Sequence, residues 1–491
     1  MKKIVIIGSG VAGLSAGIYA RKYGFDCEIY EKNHNAGGQC VAWKRKGYTI
    51  DNCVHWMTGT SPEKEIYRTW CEVGVLGKDR EVIQNESFLH LEYGGQSLDL
   101  WYDDERMRKD MLALSPEDTD AIEEFIDTVR VYKGMEMAAR KPFEQFSLSE
   151  KFRFIKKLSK IGPVHAKLGK TKLEVYASKF KHPLLRKAVT AYIPRNYNVS
   201  SWFYILGTFC SGNGGLPKGG SEGITNHMLG TFLQLGGKIY YNKEAVGIKK
   251  HKNITDAVIF ADGSEVKSDF YVFACDVSVV FNKILGLTHI DDFFRSRFIQ
   301  GIKHPIYSSI NVYIGVDKDK SAFLPDTSWW EGQGFEVCGK VVKSFLLKSY
   351  ASEPSFAPEG KTLLQAMIVQ FVSDFECWRN MYEYDRETYK QAKARIAAAV
   401  VRNLKAQYPQ IGDAEVVEVV TPMSFYRWCG SYKGAYMSFV LTPFAKKKTH
   451  KGHIRGLKNA YLAGQWLQPP GGLPNALVTG KFAIQRIIKD N

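Results

Sequence analysis

Three observations predict an α/β chain with more than one domain. The sequence opens on a short, β-branched apolar strand that runs into a glycine-rich turn and a helix. Strand-and-glycine blocks return in the middle of the chain and at its end. The stretches between them read as a mixed sheet with helices, an α+β unit. The length agrees, since 491 residues correspond to two to four domains at roughly 100–200 residues each.

Ile4-Val5-Ile6-Ile7 is wholly apolar, as a parallel strand covered on both faces requires. Gly8-Ser9-Gly10-Val11-Ala12-Gly13 follows as G-x-G-x-x-G, and the pattern predicts a helix over 11–23. Gly8 makes the tight turn, Gly10 lets backbone approach a pyrophosphate, and Gly13 lets helix meet strand. Ser9 and Ala12 belong to the same loop, and the helix start offers free N–H groups to phosphate. The second strand, Cys27-Glu28-Ile29-Tyr30, ends at Glu31, eighteen residues after Gly13. An acid at that spacing accepts the hydroxyl protons of an adenosine ribose. Together these features predict a Rossmann-like dinucleotide domain. Gly37-Gly38-Gln39 then adds a second close-approach loop, for which an NAD domain has no standing need.

Ser115-Pro116-Glu117-Asp118 reads as a helix start, running to about Tyr132. Ser147-Leu148-Ser149-Glu150 fits a capping box. The segment it opens carries Leu148, Phe152, Ile155, Leu158 and Ile161 at helical spacing, with Lys151, Arg153, Lys156, Lys157 and Lys160 between them. Gly214 to Gly220 reads as a loop, followed by a helix over 223–235 and strands around Ala245-Val246 and Tyr271–Asp276. Ser309–Val316 and Glu415–Val420 read as strands and Thr388–Ala406 as a long helix. Trp329, Trp330, Phe371, Trp378, Phe425, Tyr426, Trp428 and Phe439 make this part dense in aromatics, most of them core and a few available to line a tunnel. Ala460–Leu462 is a strand ending at Gly464-Gln465, and Pro470-Gly471-Gly472-Leu473-Pro474 opens a last helix over 476–489.

The formal charge is +16, with 67 Lys+Arg against 51 Asp+Glu. It is concentrated: residues 151–187 hold twelve Lys/Arg and one acid, and 444–458 hold six Lys/Arg and none. An apolar stripe beside lysines is the pattern of a helix lying on an anionic membrane; a solvated basic surface is the plainer alternative. No nucleic-acid fold signature accompanies the charge. The nine cysteines show no CxxC spacing, which suggests a reduced intracellular chain without a structural zinc and with no other metal site. No uncharged run reaches the roughly 20 residues needed to span a bilayer, so a cytoplasmic protein, peripheral to the membrane at most, is expected.

Gly8–Gly13, Glu31-Lys32, Gly37-Gly38 and Tyr48-Thr49-Ile50-Asp51 resemble the flavoprotein superfamily of amine oxidases and phytoene desaturases, and most nearly its phytoene desaturase, carotenoid isomerase and retinol saturase branches. The resemblance implies FAD as cofactor, held by Gly8, Ser9, Gly10, Ala12, Gly13, Glu31, Lys32, Gly38, Gln39, Val246, Gly464, Gly472 and Leu473. Gln39 departs from the pattern, standing where the superfamily often has Arg. The resemblance further implies a FAD-binding domain made of 1–70, 212–290 and 445–491, and a substrate domain, with a candidate membrane contact over 148–187, made of 71–211 and 291–444. The expected chemistry is hydride transfer between flavin N5 and a carbon–carbon bond of a lipophilic polyene, isoprenoid or other lipid, by desaturation, saturation or isomerisation. Quinone, oxygen or NAD(P)H would be the electron partner. His55, in Asp51-Asn52-Cys53-Val54-His55-Trp56, is the candidate catalytic residue, because imidazole titrates near neutrality; a structural histidine near the flavin is the simpler role. An amine or ketosteroid-type oxidase and a non-catalytic prenyl-lipid binder are the alternatives on this scaffold.

Overall fold

Five strands from three distant parts of the chain form one parallel sheet in the computed structural model, whose described residues are 1–445 and 448–491. The order is Lys238–Tyr240, Asp26–Tyr30, Lys3–Ile7, Phe270–Phe273 and Ala460–Leu462. The first strand is central, pairing Ile4 with both Cys27 and Phe270. Ile4, Val5 and Ile6 are fully buried, as the uninterrupted apolar run requires. The helix Val11–Lys22 is wedged between this sheet, the helix Gly220–Gln234 and the last helix, Leu473–Asp490. Gly480 makes the last contact: a Cβ there would stand 2.2 Å from the Ala12 carbonyl oxygen.

A second, seven-stranded sheet takes its strands from the other parts of the chain. Its order is Ala414–Val420, Tyr307–Asp317, Lys361–Phe371, Lys340–Ser349, Thr327–Val337, Ser87–Tyr93 and Gln96–Trp101. It is mixed, the pairing of Thr327–Val337 with Ser87–Tyr93 being parallel. Strand alternation divides its two faces. Ile310, Val312, Ile314, Leu364 and Ala366 pack against the helices Val372–Tyr384 and Arg386–Gln407. Ser309, Asn311, Met367 and Val369 face the opposite way, toward a large cavity.

Several expectations change in detail. Gly214–Pro217, read as loop, is a strand joining Met57–Thr58 and Val82–Ile83, because its glycines admit Phe209 and Val82 at close range. The basic segment is four helices, Leu148–Lys157, Ile161–Leu168, Leu173–Ala177 and Pro183–Thr190, the first break falling just ahead of Gly162-Pro163. Its capping box forms as expected between Ser147 and Glu150. The reading of the cysteines as reduced fails at one pair. Cys338, in the turn between two strands of the mixed sheet, is joined by a disulfide to Cys377 on the helix beneath; packing brings them together across 39 residues, a separation no local spacing reveals. Lys446 and Lys447 of the second basic cluster lie outside the described residues. Among those described, no helix is long and apolar enough to cross a membrane.

Candidate flavin site and substrate cavity

The glycine turn is held by steric necessity. Gly8 has φ +101°, a left-handed value that favours glycine. A Cβ on Gly13 would lie 1.9 Å from the Gly8 carbonyl oxygen, so only glycine lets the helix start directly above the strand. Gly10 serves the cavity instead: no protein atom comes nearer than 3.8 Å to the point where its Cβ would be. The Gly37 N–H donates to the Ser9 carbonyl (3.0 Å), which docks the second glycine loop on the first. Ser9 itself is buried and donates through both N–H (2.9 Å) and Oγ (2.7 Å) to Glu31 Oε2. Glu31 Oε1 accepts the Asn33 N–H (2.9 Å), so the carboxylate is fixed in place with acceptor capacity left on Oε1.

Gly8, Gly10, Ala12, Glu31, Lys32, Gly38, Gln39, Gly464, Gly472 and Leu473 all line one cavity of about 690 Å³. Ser9 and Gly13 stand behind that wall as supports. Val246 does not line it: its side chain is 41% exposed, and the neighbouring Ala245 faces the cavity instead. The strand Ala245–His251 carries a register shift between Ala245 and Gly247, and alternation turns Val246 outward.

Gln39 is a cross-tie. Its Nε2 donates to Ser431 Oγ (3.0 Å) and the Ala435 carbonyl (2.7 Å), while its Oε1 accepts from Gln465 Nε2 (3.1 Å). Gln465 Oε1 in turn accepts the Gly472 N–H (3.0 Å) at the start of the last helix. Both amide hydrogens of Gln39 are therefore spent inside the protein. Trp428 adds a further tie, donating from Nε1 to the Gly38 carbonyl (3.0 Å).

The fold carries Asn52, Cys53, His55 and Trp56 along one side of the cavity. Buried Asp51 anchors that segment by accepting the Ser221, Cys53 and Val54 N–H groups; burial raises its pKa and those bonds oppose the rise. His55 Nε2 lies 2.9 Å from Gln365 Oε1, which also accepts from Tyr350 Oη (2.7 Å). An oxygen at that point makes Nε2 the protonated nitrogen and leaves Nδ1 with its lone pair. Burial, aided by the Lys348 charge and opposed by the Gln365 bond, pushes the imidazole down to about 4, so it is neutral at pH 7. Beyond His55 the walls become aromatic and aliphatic, with Tyr192, Tyr197, Tyr204, Ile205 and Tyr436. Of the eight aromatics singled out in the sequence, Phe425 alone lines the cavity.

The sequence profile described as flavin containing amine oxidoreductase matches residues 11–488. The chain belongs to that family. Among its curated relatives are a 4,4'-diaponeurosporene oxygenase of Staphylococcus haemolyticus, 21% identical over 99% of this chain and 97% of the relative, and a lycopene-forming phytoene desaturase of a Paracoccus species, 22% identical over 100% and 98%. A triple mutant of putrescine oxidase shares its fold with a TM-score of 0.64 at 14% identity, covering 100% of this chain and 99% of that one. An oxidoreductase of Methanosarcina mazei does so at 0.58 and 16%, covering 99% and 100%. The protein is thus a phytoene desaturase-like flavoprotein with FAD as its cofactor.

The residues present fit that cofactor. The open space beside Gly10, the ordered Glu31 carboxylate and the helix start at Val11 suit a dinucleotide. Gly464 lines the cavity with nothing within 4 Å of where its Cβ would be. The start of the helix Leu473–Asp490 borders the same space, where its dipole favours negative charge. Sequence reasoning missed Lys348 and Gln365, because a lone lysine or glutamine beside an apolar run looks like a solvent-facing position until another segment meets it.

Proposed function

We propose that this protein moves hydride between FAD and a carbon–carbon bond of a lipophilic polyene or isoprenoid. The observation that carries the reading is the continuity of the cavity, from the glycine turns past His55 into the tyrosine-lined chamber. Bound FAD supplies hydride acceptance or donation at the flavin N5. The chain supplies the rest: the glycine loops and the helix starts hold the nucleotide, Gln39 and Gln465 hold the wall beside it, and the apolar chamber orients an extended chain while excluding water. His55 is neutral, with Nδ1 free to accept a proton and Nε2–H committed to Gln365. The relatives named for carotenoid desaturation and oxygenation support a polyene over an amine, and an intact cradle supports catalysis over lipid carriage alone.

Anaerobic mixing of the purified holoprotein with polyenes and with NADH tests this. Bleaching of the flavin absorption by a polyene supports desaturation. Bleaching by NADH, with colour restored by a polyene, supports saturation. Purified protein that holds no flavin, or flavin that responds to an amine and to no polyene, would overturn the reading.

We further propose that the helix Leu148–Lys157 meets an anionic membrane. Leu148, Phe152 and Ile155 are 85%, 70% and 61% exposed, so its apolar stripe does not pack on the protein. Its lysines flank that stripe. Lys157 reaches Glu136 (3.3 Å), a residue of the cavity wall, so the helix that would touch lipid also touches the chamber.

A further inference from the structure

A second hollow lies behind His55, about 40 Å³ in volume and large enough for a small polar group. It shares His55, Trp56, Tyr192 and Met367 with the large cavity. In that shared wall Trp56 Nε1 donates to Tyr192 Oη (3.0 Å). Two neighbouring strands of the mixed sheet supply the other side, with Lys348 directly opposite Gln365 in their register.

Both residues present unspent donors. Gln365 is 1% exposed, and its Nε2 has no partner, although its Oε1 has two. Lys348 Nζ makes one hydrogen bond, to the His55 carbonyl oxygen (2.9 Å), and stands 5.4 Å from the Tyr350 ring centre. An ammonium carries three N–H groups, so two remain. Asp326 and Asp51 act on the ammonium through space without pairing with it, and burial lowers its pKa. A part-buried cation beside an unpartnered amide N–H₂ is complementary to an acceptor carrying negative charge.

We propose that this hollow is a subsite for a carboxylate at one end of the lipophilic substrate, bound by Lys348 Nζ and Gln365 Nε2, with the Trp56–Tyr192 pair at its threshold. The proposal rests on the reading of the large cavity as a polyene site. It makes the preferred substrate a polyenoic acid and puts the end of the conjugated chain next to His55.

The test is a titration of the oxidised holoprotein, following the shift in flavin absorption, with three probes: a polyenoic acid, its methyl ester and the hydrocarbon of the same length. The acid is expected to bind about tenfold more tightly than either neutral probe. In Lys348→Met and in Gln365→Leu, each checked for unchanged FAD content, the preference should fall toward one. An ester or hydrocarbon that binds wild type as tightly as the acid overturns the subsite and leaves the polyene reading standing; this arm needs no variant. A preference that survives both substitutions also overturns it. No shift with any probe overturns both readings together.

Discussion

Gly13 admits no side chain, because the first carbon would collide with the carbonyl of Gly8. Gly13→Val is therefore expected to push the helix start away from the strand and to weaken FAD binding by at least about tenfold; the flavin absorption per protein after desalting measures it, and full retention would sink the account. His55 carries a different expectation. Its folded imidazole protonates near 4 against an ordinary 6.5, so as pH falls the unfolded chain takes up the proton first. The stability tied to this group is intact above 6.5 and is lost as pH falls toward 4, about 3 kcal/mol over the window. His55→Asn should remove that part of the slope. Urea unfolding of both proteins at pH 7 and 4.5 reads it directly, and equal losses would show that His55 is not held neutral.

At the scale of elements, the exposed stripe of Leu148–Lys157 makes a separable prediction. Phe152→Ser with Ile155→Ser should reduce flotation with anionic vesicles several-fold and leave FAD content unchanged. Lys156→Glu with Lys157→Glu should do the same and should lower the salt sensitivity of the remainder. Binding unaltered by either pair would mark the helix as ordinary surface. The sequence displayed the start and the apolar stripe of this helix, since capping and amphipathic spacing are local properties, but not its end at Lys157. The glycine turn was equally legible, because its steric demand is met within six residues. Val246 was not: which neighbour of a strand pair faces inward depends on register, and a bulge sets that register here. Lys348 and Gln365 were hidden for a related reason. Each stands as a lone polar residue beside an apolar run, and only the arrival of the Asn52–Trp56 segment gives them partners there.

The whole molecule brings one sheet together from the beginning, middle and end of the chain, and a second from the stretches between. The large cavity draws residues from both. FAD bound there stabilises the folded state alone, so unfolding should shift with cofactor by about 2.7 kcal/mol at a free concentration 100 times Kd. Thermal unfolding of stripped protein, with and without added FAD, checks this; coincident curves would mean that the cradle does not hold it. The parts of the fold that escaped sequence reading are long-range ones, the strand Gly214–Pro217 and the Cys338–Cys377 disulfide among them.

The Gln39–Gln465–Gly472 chain of hydrogen bonds also fixes an order of events during synthesis. The first half of the nucleotide cradle leaves the ribosome early, yet the wall that closes it hangs on residues near the C-terminus. The edge strand Ala460–Leu462 arrives just as late. Nascent chains stopped short of the last helix are therefore expected to emerge without cofactor.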